Sequence, residues 1–288
     1  MLLSAIFAIG GFLAQADIPA KYLTPAPKPN QVVAKVDGVE IKASDVNDLL
    51  WQWRSQEAVA DLISYQVIKN ASVKENVSVT DAEVQKSVDE QMAQLTPAVL
   101  QGKPVDQYLM EQGFTTSRMW LRIKTELLLN KITLKDFKAA DYIKVSTIVV
   151  RPLNTSTTAL TDAAKKADAF YEMLGKGEPW DKVLNYSTTD QRTLDSKGLV
   201  GWRLISVFPE MVQTEMKALK AGGLTKPVQT SSGFQIFRIE LFGKDAKGVD
   251  LAEAETIHIS SNKNAVAQKI RTAAKVERIP QNSGAGGS

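Results

Sequence analysis

The chain has 288 residues, 44% of them apolar and 23% charged, a globular composition with length for roughly two domains. A net charge of +3 supports neither a dedicated nucleic-acid surface nor a trap for acidic substrates. No cysteine and a single histidine, His258, exclude disulfides, thiolate nucleophiles and histidine-rich metal clusters.

Leu2 to Leu13 form a short apolar run, followed by Ala14-Gln15-Ala16, a small-x-small cleavage pattern ahead of Asp17. Residues 1–16 are therefore expected to be an export signal; an uncleaved anchor and a buried segment are the other readings of the run, which is short for a bilayer span. The mature protein is expected to be extracytoplasmic, without a stable membrane span after signal cleavage. Residues 17–30, with Pro19, Pro25, Pro27 and Pro29, read as a Pro-rich linker. Val32 to Val36 and Val39 to Ile41 read as strands around an Asp37-Gly38 turn. Ser44 is the expected N-cap of a helix through Val46, Leu49, Leu50 and Trp53, and helical spacing resumes from Ala58 to Asn70. Thr80-Asp81-Ala82-Glu83 is a capping box opening a helix through Val84, Val88 and Met92. Gln107 to Gln112 and a longer stretch from Thr116 complete a helical domain over residues 31–140.

Residues 141–243 change character. Tyr142 to Val150 is a β-branched strand, and Ala159 to Leu174 an amphipathic helix. A glycine-punctuated loop follows, then a helix from Pro209 to Leu219 and closing strands at Val228 to Thr230 and Phe234 to Leu241. Over residues 250–280 a helix at Asn264 to Ala274 and a strand at Lys275 to Ile279 are expected to dock on the first domain, because neither can bury its apolar side alone. Alternation in Thr256-Ile257-His258-Ile259 places His258 on a strand, in a structural role. Residues 281–288 read as a flexible Gly/Ser tail.

Four fragments of the second domain stand in a fixed order: Gly198-Leu199-Val200-Gly201-Trp202, Leu219-Lys220-Ala221-Gly222, Pro227-Val228-Gln229-Thr230 and Ser232-Gly233-Phe234-Gln235-Ile236. Together with Val33-Ala34-Lys35-Val36-Asp37-Gly38 and Ala273-Ala274-Lys275-Val276-Glu277, they make the chain resemble the parvulin-containing exported foldases, the SurA and PrsA group. The resemblance covers nearly the whole mature chain. It implies an α+β fold class: a helical SurA-like chaperone domain, its N-terminal segment completed by the C-terminal helix and strand, plus a parvulin-like α+β domain. It also implies a periplasmic or envelope peptidyl-prolyl cis-trans isomerase acting on unfolded or proline-containing exported polypeptides. No nucleic acid and no cofactor enter that activity.

The chain departs from the family's pattern at the pocket. A histidine is usual on the first strand, where Thr147 stands, and another on the last strand, where Gln235 stands. The acidic position near the pocket maps onto Asp190. The wall that grips the proline ring maps onto Leu199, Phe208 and Val212, or onto Met211 if the helix is shifted, and Ser232 matches a serine near the rim. Thr147, Asp190 and Gln235 are thus the expected catalytic residues, and Leu199, Phe208, Val212 and Ser232 the expected substrate-binding ones, with activity weakened by loss of both imidazoles.

Rotation about an Xaa-Pro bond needs no nucleophile, since its barrier of roughly 18–20 kcal/mol comes from amide resonance alone. An apolar seat for the ring and a few donors to the twisted carbonyl suffice. Without the resemblance, Leu199, Phe208 and Val212 read as ordinary core and Asp190 as a solvated turn residue. The alternative function is a non-catalytic periplasmic chaperone whose degenerate parvulin domain binds unfolded peptide, with an apolar cradle of Trp51, Trp53, Met92 and Met119. A scaffold for one dedicated partner is a third reading. No phosphate-binding loop or dinucleotide fingerprint is present, and no metal is expected.

Overall fold

The computed structural model describes residues 17–23 and 27–278. The expected signal at 1–16, part of the Pro-rich linker and the tail at 281–288 lie outside the described residues. The chain divides into two compact units, residues 1–133 with 263–288, and residues 134–262.

The first unit opens with an antiparallel hairpin, β1 (Val32–Val36) and β2 (Val39–Lys42). A single helix, α1 (Ala43–Lys74), then covers both helical segments expected from the sequence. Its first turn starts one residue before the expected Ser44 cap: Ala43 is buried, and the Lys42 amide donates to the Asp45 carboxylate at 2.9 Å. Three shorter helices follow, α2 (Asp81–Ala93), α3 (Pro97–Leu100) and α4 (Val105–Glu111), before the long α5 (Thr116–Thr133). Tyr65 and Ile68 of α1 pack against Leu121, Leu128 and Ile132 of α5, while Val84 and Val88 of α2 pack against its Trp120 and Ile123. Trp120 also binds the start of the described chain. Its indole Nε1 donates to the Asp17 carbonyl at 3.0 Å, and the Tyr22 ring lies 5.3 Å from its own.

Met92 and Met119 belong to the Trp120 cluster, whereas Trp51 and Trp53 are 50% and 68% exposed on α1. The four-residue cradle expected from the sequence is therefore not assembled. Position along the helix explains the split: the apolar core contacts of α1 begin at Tyr65, and Trp51 and Trp53 lie well before them.

In the second unit an antiparallel sheet runs in the order β4-β3-β6-β5. Its strands and helices, in chain order, are β3 (Tyr142–Val150), α6 (Thr157–Gly175), α7 (Trp180–Ser187), α8 (Gln191–Asp195), β4 (Leu199–Leu204), α9 (Glu210–Ala218), β5 (Val228–Thr230) and β6 (Gly233–Phe242). The region expected as a glycine-punctuated loop thus holds two short helices and an edge strand. Helices α6 and α7 cover one sheet face through Ile148, Val150 and Ile236, with Ala167, Phe170, Val183 and Leu184 above them. The opposite face belongs to α9 and to the segment leading into it.

The last helix, α10 (Gly248–Ala273), begins sixteen residues before the sequence expectation and absorbs His258. Leu251, Ala254 and Ile257 recur at helical spacing and pack with Tyr142 and Trp202. This 3–4 period outweighs the two-residue alternation read around His258, whose Nδ1 lies 2.6 Å from the Tyr142 hydroxyl. Farther along, Val266 and Ile270 pack on the α1–α5 core of the first unit. Residues 275–278 form no strand, contrary to the expectation for Lys275 to Ile279.

The Thr80 capping box is present in full. Glu83 accepts from the Thr80 amide at 2.7 Å and from Lys131 Nζ at 2.6 Å, and these bonds, that of Lys131 foremost, hold its pKa at about 2 against an ordinary 4.5. A depressed carboxylate stabilises the fold above its unfolded pKa and loses that contribution as pH falls from 4.5 to about 2. Solvent screening keeps the effect small, since Glu83 is half exposed. Replacing Glu83 by Gln should lower the melting temperature slightly at neutral pH, and the gap from the parent should close by pH 2. An equal gap at both ends of a pH-resolved melting series would rule this out.

Candidate functional site

β3 and β6 bring two of the expected catalytic positions onto one face. Thr147 stands opposite Phe237 and Val149 opposite Gln235, and directly opposed residues of antiparallel strands share a face. Thr147 and Gln235 are therefore diagonal neighbours, roughly 7–8 Å apart by strand geometry. On the same face lie Val145, Phe237 and Ile239, covered by Val212 and Met216 of α9 and by Phe208 just ahead of that helix.

Phe208 meets Phe237 edge to face, with centroids 5.2 Å apart and planes at 77°, a geometry the aromatic quadrupole favours. The turn carrying Phe208 is held by Gln213, whose amide donates to the Phe208 carbonyl at 2.7 Å. Within α9, Val212 is buried and Met211 is 80% exposed, so the helix phase selects Val212 of the two candidates. Phe237, Met216 and Val228 also belong to this cluster and were not singled out from the sequence. The signal for Phe237 was its two-residue spacing from Gln235, and for Met216 its four-residue spacing from Val212.

The polar groups differ in how they are engaged. Thr147 Oγ1 donates to the Ile236 carbonyl at 3.3 Å, a long bond for a hydroxyl. The Gln235 carboxamide makes no hydrogen bond to a described residue, which leaves its two N–H donors available beside the aromatic pair. Asp190 is exposed and caps α8: its carboxylate accepts from the Thr193 amide at 3.0 Å and the Thr193 hydroxyl at 2.6 Å. Those bonds, with the positive charge of Arg151, keep its pKa below the usual range.

Leu199 and Ser232 do not join this face. Between Val145 and Ser146 the β3–β4 register slips, with Gly201 at φ +83°, and the slip turns Val200 rather than Leu199 toward Phe208. Leu199 lies 46% exposed along a groove with Lys144, Trp202 and Val249. Ser232 sits on the exposed β5–β6 turn, lining a separate cavity with Arg151 and Thr155. The displacement of Leu199 is not readable from a linear motif, because a bulge moves a side chain across a sheet without changing the order of residues.

Residues 148–241 match the family model described as the PPIC-type PPIase domain, or rotamase. This stretch is a parvulin-type domain. The chain is 25% identical over an alignment of 319 positions to the chaperone SurA of Saccharophagus degradans, covering 96% of this chain and 72% of that protein. It is 25% identical over 245 positions to the foldase protein PrsA of Caldanaerobacter subterraneus, covering 79% of this chain and 72% of that one. Against the chaperone SurA of Pseudomonas aeruginosa the match is 22% identical and reaches only 39% of the relative's length. Among solved structures, the peptidylprolyl isomerase PrsA of Bacillus cereus is similar at 17% identity and a TM-score of 0.42, covering 88% of this chain and 96% of that one.

The backbone beside Thr147 requires a glycine at position 198. Gly198 at φ +72° accepts from the Thr147 amide at 2.8 Å, and a Cβ there would lie 2.4 Å from the Thr147 carbonyl oxygen. Gly198→Ala combines left-handed strain with a backbone clash, and should cost about 2–4 kcal/mol in denaturant unfolding of the second unit. A loss below about 1 kcal/mol would show that the Gly198–Thr147 contact relaxes freely.

Proposed function

We propose that the protein is an extracytoplasmic foldase whose parvulin-type domain binds Xaa-Pro segments of exported, unfolded polypeptides and speeds their cis/trans exchange. The observation that carries this reading is the apolar face of Phe208, Val212 and Phe237, with the unengaged Gln235 carboxamide beside it. The proline ring would sit against Phe208 and Phe237. Gln235 would donate to the prolyl nitrogen as the amide twists, when conjugation is lost and the lone pair returns to nitrogen. Because donation is stronger to the twisted form than to either planar form, it lowers the barrier and not merely the binding energy. The similarity to chaperone SurA and foldase protein PrsA sequences supports an extracytoplasmic setting and polypeptide clients. Among the described residues no helix is long and apolar enough to cross a membrane.

Neither Thr147 nor Gln235 titrates, and His258 packs in a different cluster with Phe137 and Tyr142. The exchange rate should accordingly be flat between about pH 5 and 8, the range in which an imidazole changes charge. The deciding experiment is NMR exchange spectroscopy of an Ala-Pro peptide with the full chain. Acceleration is expected, with a clear loss in Phe208→Ala and a smaller one in Gln235→Leu. Peptide-induced shifts without acceleration would refute the isomerase and leave a binding domain.

A second reading, a holding chaperone, has its own observation. Val46, Leu49, Leu50 and Trp53 form a stripe at helical spacing on α1 and are all exposed, as are Val33, Val36 and Val39 of the hairpin. Light scattering of an aggregating client tests it. Suppression should weaken in Leu50→Ser/Trp53→Ser, and suppression unchanged by those substitutions would remove this reading.

A further inference from the structure

Residues 17–23, where the described chain begins, form a strap with a single 3₁₀ turn, Ala20–Tyr22, laid against α1, α2 and α5. Only two of its side chains enter the apolar clusters: Ile18 packs with both, and the Tyr22 ring lies 5.3 Å from that of Trp120. Ala20, Lys21 and Leu23 stay exposed. The polar contacts converge on Asp17. Its carboxylate accepts from the Tyr65 hydroxyl at 2.6 Å and from Lys69 Nζ at 2.7 Å, with Lys124 Nζ at 3.9 Å, and its carbonyl accepts from the Trp120 indole at 3.0 Å. Tyr65 and Trp120 are 2% and 1% exposed, so two donors withdrawn from water meet at one residue. At the other end, Gln85 Oε1 accepts from the Tyr22 hydroxyl at 2.5 Å and from Lys21 Nζ at 2.7 Å. Buried donors left without an acceptor are costly, so the groove beneath the strap requires a carboxylate, a main-chain carbonyl and an aromatic ring from whatever fills it.

We propose that this groove is a site for client polypeptide, filled in the resting protein by the chain's own residues 17–22, which a client segment displaces. The proposal rests on the holding-chaperone reading above and adds to it a second site and a client pattern. That pattern is an acidic residue, an aliphatic residue directly after it, and an aromatic residue four positions farther on, the order of Asp17, Ile18 and Tyr22. Two observations make the strap an exchangeable occupant and not a fixed part of the core. Its main-chain hydrogen bonds from Tyr22 to Pro19 and from Leu23 to Ala20 are internal, and among the described residues it joins no sheet. A short terminal segment held in this way opens at a small fraction of the cost of global unfolding. Pro25, Pro27 and Pro29 follow, and a proline-rich tether keeps a displaced strap near the groove at high effective concentration. The strap therefore refills the groove when the client leaves, and a segment that lacks the pattern fails to displace it.

The probe is a fluorescent peptide with the sequence of residues 17–23, titrated by anisotropy against the full chain. Asp17→Ala/Ile18→Ser loosens the strap and leaves the groove intact, so it should bind the peptide roughly tenfold more tightly than the parent, whose groove is filled. A peptide with Asn in place of Asp should bind that variant roughly two- to fivefold more weakly, the range for one exposed ion pair, and adding Lys69→Gln should bring this ratio toward one. Equal affinity of parent and loosened variant, or no binding by a loosened variant with the parent's circular dichroism, overturns the groove as a client site. Client aggregation still suppressed by the parent, and less by Leu50→Ser/Trp53→Ser, would then leave the holding reading standing. If the double substitution unfolds the chain, hydrogen exchange in the parent decides. The Trp120 indole N–H should exchange roughly tenfold or more faster than the main-chain amides of α5, because opening of the strap exposes it without unfolding the helix. Equal protection of the two overturns the proposal.

Discussion

Strand β3 is hydrogen-bonded on both edges, to β4 and to β6, and is covered on both faces. Ile148 and Val150 point toward α6 and α7, while Ile143 and Val145 point toward α9, all of them essentially out of solvent. Full burial of each such side chain contributes about 1.5–3 kcal/mol, so this strand cannot shift by one residue without inverting two cores. That constraint fixes where Thr147 lies. It also fixes Gln235 through the pairing with β6, and holds the Phe237 ring where Phe208 can meet its edge.

The chemistry available on that face follows from what the strand pair leaves unsatisfied. A hydroxyl on β3 that bonds back to a neighbouring carbonyl has little to offer a substrate, whereas a carboxamide with free donors does. Electrostatic help to a twisted amide would need a donor aimed at the nitrogen, whose lone pair is freed by the twist, in surroundings where water competes poorly. Phe208, Val212, Met216 and Phe237 supply such surroundings. Asp190, by contrast, is committed to ordering α8, and its low pKa reflects that structural work and the neighbouring Arg151.

The helical unit is organised on a different principle. Its two cores meet along α5, where Trp120 joins α2 to the segment beginning at Asp17, and Leu121 and Leu128 join α1. Asp17 is tied to Tyr65 at 2.6 Å and Lys69 at 2.7 Å, and this holds its carboxyl below the usual range against the opposing effect of burial. Toward its N-terminus α1 stays tied to α5 as far as Asp61 and Glu57, which pair with Arg118 and Arg122. The exposed stripe on its first half is consequently a surface property, available to a client without disturbing the core.

The sequence by itself determined the elements whose signals are local and periodic. The capping box at Thr80, the β-branched run of β3, the α9 helix and the ordered motif fragments of the parvulin-type domain were all legible in a one-dimensional pattern, because propensity and capping act over a few residues. Tertiary structure alone decided which faces those elements present. A bulge at Gly201 exchanged Leu199 for Val200, and helix phase chose Val212 over Met211. Packing with Tyr142 and Trp202 kept the Leu251–Ile257 stretch helical where local alternation read as strand. The physical reason is common to all three. Side-chain direction depends on register and on what lies opposite, and neither is written in the neighbours along the chain.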